Sequence, residues 1–221
     1  MIKAVIFDVD GTLIDSVDVH AKAWLWAFAR HGHDIPFEDL RGQIGKGADQ
    51  LMPEYLSPEQ MERDGKKLEE DRQMFFKQEY YPHLKPFPMV RELFERIIAD
   101  GKKIVLASSA KGDELEHYEE IANVKDLIGA STSSDDAEKS KPHPDIFHAA
   151  MGKLEGIEPD EMIVVGDTPW DAEAAGKAGL KTVGFLCGGF EEEKLKAAGC
   201  VAIFDGPSDL LARYDESPLA K

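Results

Sequence analysis

Four segments of this chain carry residues whose types and spacing could do chemistry together. Asp8 and Asp10 flank one valine and run into Gly11-Thr12. Ser108 and Ser109 follow a second apolar run, and Lys141 lies in Lys139-Ser140-Lys141-Pro142-His143-Pro144. Asp167 and Asp171 bracket Thr168-Pro169-Trp170. Carboxylates gathered at one place repel one another, so either a pKa rises or a cation joins them. An all-oxygen donor set favours a hard ion such as Mg²⁺, which keeps several waters and often bridges to a phosphate. Add a lysine and a hydroxyl, and such a centre suits a phosphoryl group.

These residues meet only if the elements before them end at a common edge. Ile2–Phe7, Lys103–Ala107, Met162–Val165 and Thr182–Leu186 are short, non-alternating apolar runs, as expected of strands buried on both faces. Leu127–Ala130 and Val201–Phe204 are weaker candidates. Helical patterns lie between them at Val90–Asp100, Asp145–Leu154 and Asp171–Ala178. Alternation of this kind predicts an α/β fold, a Rossmann-like parallel sheet in a three-layer sandwich, with ligands at the carboxyl ends of the strands.

Residues 16–85 break the alternation. Val17–Arg30 places His20, Ala21, Trp24, Ala27 and Phe28 on one stripe, and Glu59–Tyr80 is a second long helical pattern dense in Lys and Glu. The expected organisation is a core of residues 1–15 and 86–221 with an inserted all-helical cap at 16–85. Asp215–Lys221 reads as a loose tail.

Composition narrows the function. The 221 residues carry a net charge of −17, which disfavours nucleic acid and anionic membranes as partners. No apolar run reaches the roughly 20 residues of a membrane span, and the N-terminus lacks a secretory pattern. Cys187 and Cys200 fit no metal-binding spacing and are expected as buried reduced thiols in a reducing cytoplasm. A monomer or homodimer acting on a small metabolite is the expected form.

The segment Asp8-Val9-Asp10-Gly11-Thr12-Leu13-Ile14-Asp15-Ser16, with Ser108, Lys141-Pro142 and Gly166-Asp167-Thr168-Pro169-Trp170-Asp171 in that order, resembles the four motifs of the haloacid dehalogenase superfamily of phosphohydrolases, in particular its phosphoglycolate phosphatase and β-phosphoglucomutase-like members with a helical cap. The resemblance spans Met1 to about Gly206. It implies that Asp8 is a nucleophile forming an aspartyl-phosphate, and that Asp10 is the general acid and then the base. It implies Mg²⁺ held by Asp8, the backbone carbonyl of Asp10, and Asp167. Asp171 would act through metal-bound water or by orienting Lys141, and Ser108 and Lys141 would hold phosphoryl oxygens. Ser109 is the alternative hydroxyl and Thr12 a further candidate for the phosphate, while Lys139 rivals Lys141.

Other residues admit two readings. Asp171 could simply favour a helix N-terminus. His20 is either a packed histidine or a group at the cap hinge near Asp10. Arg41-Gly-Gln-Ile-Gly-Lys-Gly lacks the spacing of a nucleotide-binding P-loop. It reads instead as a substrate loop in which Arg41 and Lys46 meet an anionic group. The expected activity is a Mg²⁺-dependent phosphatase acting on a phosphoglycolate- or sugar-phosphate-like ester. The alternatives are a β-phosphoglucomutase-like phosphotransferase, a phosphonatase with Lys22 or Lys46 as its Schiff-base lysine, and a catalytically silent binding protein. Asp8→Asn should abolish nearly all release of phosphate from para-nitrophenyl phosphate at saturating Mg²⁺; substantial residual turnover would contradict the assignment of the nucleophile.

Overall fold

The computed structural model describes all of residues 1–221. Six strands, β1 (Ala4–Phe7), β2 (Lys103–Ala107), β3 (Ala130–Thr132), β4 (Met162–Gly166), β5 (Lys181–Phe185) and β6 (Cys200–Phe204), form one parallel sheet in the order β3-β2-β1-β4-β5-β6. The strand that carries Asp8 and Asp10 at its end is thus central. All four of its residues are buried, because the sheet is covered on both faces.

The pleat divides the sheet's apolar residues between two cores. Val5, Phe7, Ile104, Leu106, Ile163 and Val165 point to one face. There they meet Val90, Leu93, Phe94 and Ile97 of α6 (Val90–Ala99), as well as Leu115 and Tyr118 of α7 (Gly112–Ile121). Ala4, Ile6, Val105, Ala107, Met162 and Val164 point to the other. Ile146, Phe147 and Ala150 of α8 (Asp145–Gly152) and Ala174 and Ala175 of α9 (Pro169–Lys177) cover them. The α/β three-layer expectation describes this arrangement. No helix is long and apolar enough to cross a membrane.

Between β1 and β2 the chain builds a helical layer with its own apolar cluster, including Val17, Trp24, Phe28, Leu40, Leu51 and Leu68. Its main helices are α1 (Val17–Arg30) and α5 (Lys66–Glu79), with the short α2 (Phe37–Arg41), α3 (Ala48–Leu51) and α4 (Pro58–Gln60) between them. The two segments joining this layer to the sheet run side by side, Asp15 N–H donating to Lys85 O at 3.0 Å and Phe87 N–H to Leu13 O at 2.8 Å.

The Glu59–Tyr80 pattern is helical without a break over 58–79, with a π-helical stretch, Met61–Gly65, between α4 and α5. Two local expectations need correction. The third strand is Ala130–Thr132 rather than Leu127–Ala130, because Leu127 and Ile128 turn inward to pack on the α6 side of the sheet. The C-terminal residues are not loose. Tyr214–Glu216 and Pro218–Ala220 form 3-10 turns, Leu219 is fully buried, and Lys221 O accepts from Ile2 N–H at 3.0 Å. Leu219→Ala should therefore lower unfolding free energy by about 2–4 kcal/mol in a urea titration, whereas a loose tail would give no change.

Candidate active site

Asp8, Asp10, Ser108, Asp167 and Asp171 all stand at or just beyond the carboxyl ends of β1, β2 and β4. Parallel pairing in register brings those ends together. Asp8, Asp167 and Asp171 offer carboxylate oxygens that all lie within 4.8 Å of one another, and the three residues are buried. Lys141, 1% exposed, reaches in from the loop before α8. Its ammonium donates to Asp8 Oδ1 at 2.5 Å, pairs with Asp171 Oδ1 at 2.8 Å and donates to Ala107 O at 3.2 Å. Lys139 is exposed and takes no part. Asp171 combines both readings made of it: its Oδ2 accepts from Thr168 N–H at 3.0 Å in the capping box that opens α9, while Oδ1 faces Lys141.

One lysine against three buried carboxylates leaves excess negative charge. Burial, then Asp171, pushes Asp8 up to about 7 despite Lys141. Burial, Asp8 and Asp171 push Asp167 well above the usual carboxylate range. Thr12, expected to touch phosphate, is fully buried, and its hydroxyl lies 2.9 Å from both Asp8 Oδ2 and Asp167 Oδ1. A hydroxyl has one proton, so it can donate to only one of them at a time. Asp167 Oδ2 is buried without any hydrogen-bond partner. A Cβ on Gly11 would stand 2.4 Å from that oxygen, and one on Gly188 only 1.7 Å, so both positions require glycine. An all-oxygen, over-charged cluster with an orphaned oxygen fits a hard divalent cation.

Asp10 faces the other way. Its Oδ1 accepts from Ser16 Oγ at 2.7 Å and lies 2.8 Å from His20 Nε2. Arg72 Nη2 is 3.0 Å from His20 Nδ1. Guanidinium only donates, so Nδ1 accepts and Nε2 carries the proton it donates to Asp10. Burial works to raise the Asp10 pKa, but His20, Ser16 and Arg72 outweigh it and hold the carboxyl below its ordinary range. His20 stacks on Phe76, with ring centroids 4.2 Å apart, and the Arg72 guanidinium lies over Trp24 and Phe76.

A cavity of about 310 Å³ opens between this edge and the helical layer, lined by Asp8, Asp10, His20, Lys46, Arg72 and Ser109 among others. The layer is held over it by contacts such as Lys77 to Asp113 at 2.6 Å and Ser140 N–H to Asp49 Oδ2 at 3.2 Å. Ser109 faces the cavity, whereas Ser108 is fully buried and its Oγ accepts from Ala110 N–H at 3.0 Å.

The expected cap contacts divide. Lys46 borders the cavity, but its ammonium is paired with Glu54 at 2.7 Å and lies over the Trp170 ring. Arg41 is not in the cavity. Its guanidinium binds Asp18 and the carbonyls of Gly188 and Gly189. Lys22 is exposed on α1. Sequence reasoning overlooked Arg72, hidden in a helix whose Lys/Glu density reads as solvated; its signal was the four-residue spacing of Leu68, Arg72 and Phe76. It also missed Gly188, which no local pattern marks.

A family model described as haloacid dehalogenase-like hydrolase matches residues 2–179. A phosphoglycolate phosphatase of Yersinia pestis is 31% identical over 193 residues, covering 85% of this chain and 82% of that protein. A phosphoglycolate phosphatase of Vibrio parahaemolyticus is 28% identical, covering 95% of each chain. The crystal structure of a hydrolase from Pseudomonas syringae superposes with a TM-score of 0.86 at 29% identity, covering 97% of this chain and 98% of that one. With that family model matching residues 2–179 and a relative 31% identical over 85% of its length, the chain belongs to the haloacid dehalogenase-like hydrolases.

Proposed function

We propose that this protein is a Mg²⁺-dependent phosphoric monoester hydrolase that works through an aspartyl-phosphate on Asp8. The observation that carries this reading is the buried triad Asp8, Asp167 and Asp171, which one lysine cannot neutralise, beside a cavity that Asp8 and Asp10 both line. The names of the phosphoglycolate phosphatases among its relatives support the same class of substrate.

Asp8 and Asp167 would hold the ion, together with the backbone carbonyl of Asp10, while Asp171 anchors Lys141. When bound, the ion offsets the negative charge of the carboxylates and of the transferring phosphoryl group. In the first half-reaction an Asp8 oxygen attacks phosphorus, the ester P–O bond breaks, and the leaving oxygen takes a proton from Asp10. In the second, Asp10 takes a proton from water as the water oxygen attacks phosphorus. The bond to Asp8 then breaks and inorganic phosphate leaves. The Ser16–His20–Arg72 chain favours ionised Asp10, the form needed to activate water, and the negative charge of a bound phosphate ester would raise its pKa toward the protonated form that the first step uses. In this reading Lys141, beside Asp8, and Ser109, on the cavity lining, would hold phosphoryl oxygens.

Residues 16–85 serve as the cap in this reading, keeping bulk water out of the first step. The Arg72 guanidinium has no carboxylate partner, and its buried Nε has no hydrogen-bond partner. This favours a small ester with a second anionic group, such as phosphoglycolate or a sugar phosphate bearing an acid.

A phosphate-release screen over small phosphate esters should rank acidic esters first by kcat/KM. Arg72→Ala should reduce that preference by about 10-fold or more. Equal loss across neutral and acidic esters would contradict the anion assignment, and conversion of a sugar phosphate to its isomer without free phosphate would favour a mutase. Metal removal gives a second check. Asp8 is raised to about 7, against about 3.9 in an unfolded chain. Its stabilising effect on the metal-free fold is present below about pH 4 and lost as pH rises through 7. With EDTA, Tm should fall between pH 5 and 8, and Mg²⁺ at pH 8 should restore it; a flat metal-free profile would contradict the carboxylate-crowding argument.

A further inference from the structure

Gly188 faces two ways. Its carbonyl accepts from Arg41 Nη2 at 2.9 Å, while its Cα lies so close to Asp167 Oδ2 that an added Cβ would stand 1.7 Å from that oxygen. The neighbouring residues tighten the arrangement. Arg41 Nη1 donates to Gly189 O at 3.4 Å, and a Cβ on Gly189 would meet Nη2 at 2.3 Å, so the guanidinium packs directly against that backbone. Gly189 has φ +83°, a conformation glycine adopts without strain, and its N–H closes the turn onto Leu186 O at 2.8 Å. On the other side, Cys187 Sγ donates to Gly11 O at 3.3 Å, tying the same loop to the second glycine that crowds Asp167. Asp18 Oδ1 accepts from Arg41 Nε at 2.7 Å and fixes the guanidinium from α1.

We propose that Arg41 is a positioning residue for the metal centre: from the helical layer it holds the Leu186–Phe190 loop against Asp167 and so sets where the orphaned carboxylate oxygen stands. This rests on the reading of the Asp8–Asp167–Asp171 cluster as the cation site. It replaces the expectation that Arg41 meets substrate. Because binding linkage is reciprocal, the cation is bound more tightly when the cap is seated and Arg41 engaged, and the bound cation favours the seated cap in turn. Partners that orient metal ligands typically govern affinity by 10-fold or more.

The test uses the full chain without substrate. Mn²⁺ is titrated into the wild type, Arg41→Met and Arg41→Lys with free Mn²⁺ read by electron paramagnetic resonance, and substrate KM is measured separately at saturating Mg²⁺. The proposal expects Mn²⁺ affinity about 10-fold weaker in Arg41→Met. It expects Arg41→Lys to lie between, since its ammonium can still reach a carbonyl, and KM for substrate to be unchanged. Equal Mn²⁺ affinity in all three proteins overturns it, as does a raised substrate KM with unchanged Mn²⁺ affinity. If the wild type itself binds no Mn²⁺, the cation-site reading falls as well, so the two failures are distinct. Should circular dichroism show Arg41→Met unfolded, Asp18→Asn takes its place. It removes the charge that anchors the guanidinium at an exposed site and should weaken Mn²⁺ binding by about threefold. No change there overturns the proposal equally.

Discussion

Three buried carboxylates and one buried lysine set the terms for this molecule. Like charges in a buried site cannot all stay ionised without compensation. Lys141 supplies one positive charge, shared between Asp8 and Asp171, and Thr12 supplies one proton for two oxygens. The remaining imbalance makes Asp8 and Asp167 hard to ionise, and the three carboxylates lie close enough together that they could hold a metal ion. Much of the surrounding backbone accommodates this crowding. Gly11, Gly166 and Gly188 bring main chain against the carboxylates where any side chain would collide.

The sheet makes the crowding possible. Strand β1 lies between β2 and β4, so Asp8, Ser108 and Asp167 emerge side by side from three adjacent strand ends. The two apolar cores on either face hold those ends in register. The helical layer then supplies what the sheet cannot: a wall carrying His20 and Arg72 opposite the carboxylates, and Arg41 reaching around to the loop behind them. Asp10, at the boundary, is held by groups from that layer while Asp8, two residues earlier, belongs to the sheet.

The placement of Asp8, Ser108 and Asp167 at strand ends was legible because each follows an apolar run, and a run of that kind buried on both faces has few alternatives. Lys141 was separable from Lys139 only by the proline after it, yet the structure buries one and exposes the other. What could not be read depends on contacts distant in sequence. Arg72 looks like any charge on a Lys/Glu-rich helix until α1 places His20 against it. Arg41 looks like a substrate contact until Gly188 and Gly189, almost 150 residues later, fold beneath its guanidinium. The C-terminal residues are polar enough to suggest a tail, and only the burial of Leu219 reveals their docking.

The central claim is that Asp8 takes the phosphoryl group. Acid-quenching the enzyme during turnover of a phosphate ester, followed by peptide mass spectrometry, tests it most directly. The account predicts phosphate on the peptide containing Asp8, at the aspartate itself, decaying as turnover completes. Phosphate on another residue, or turnover at full rate under conditions that preserve acyl-phosphates with no phosphorylated Asp8, would contradict it.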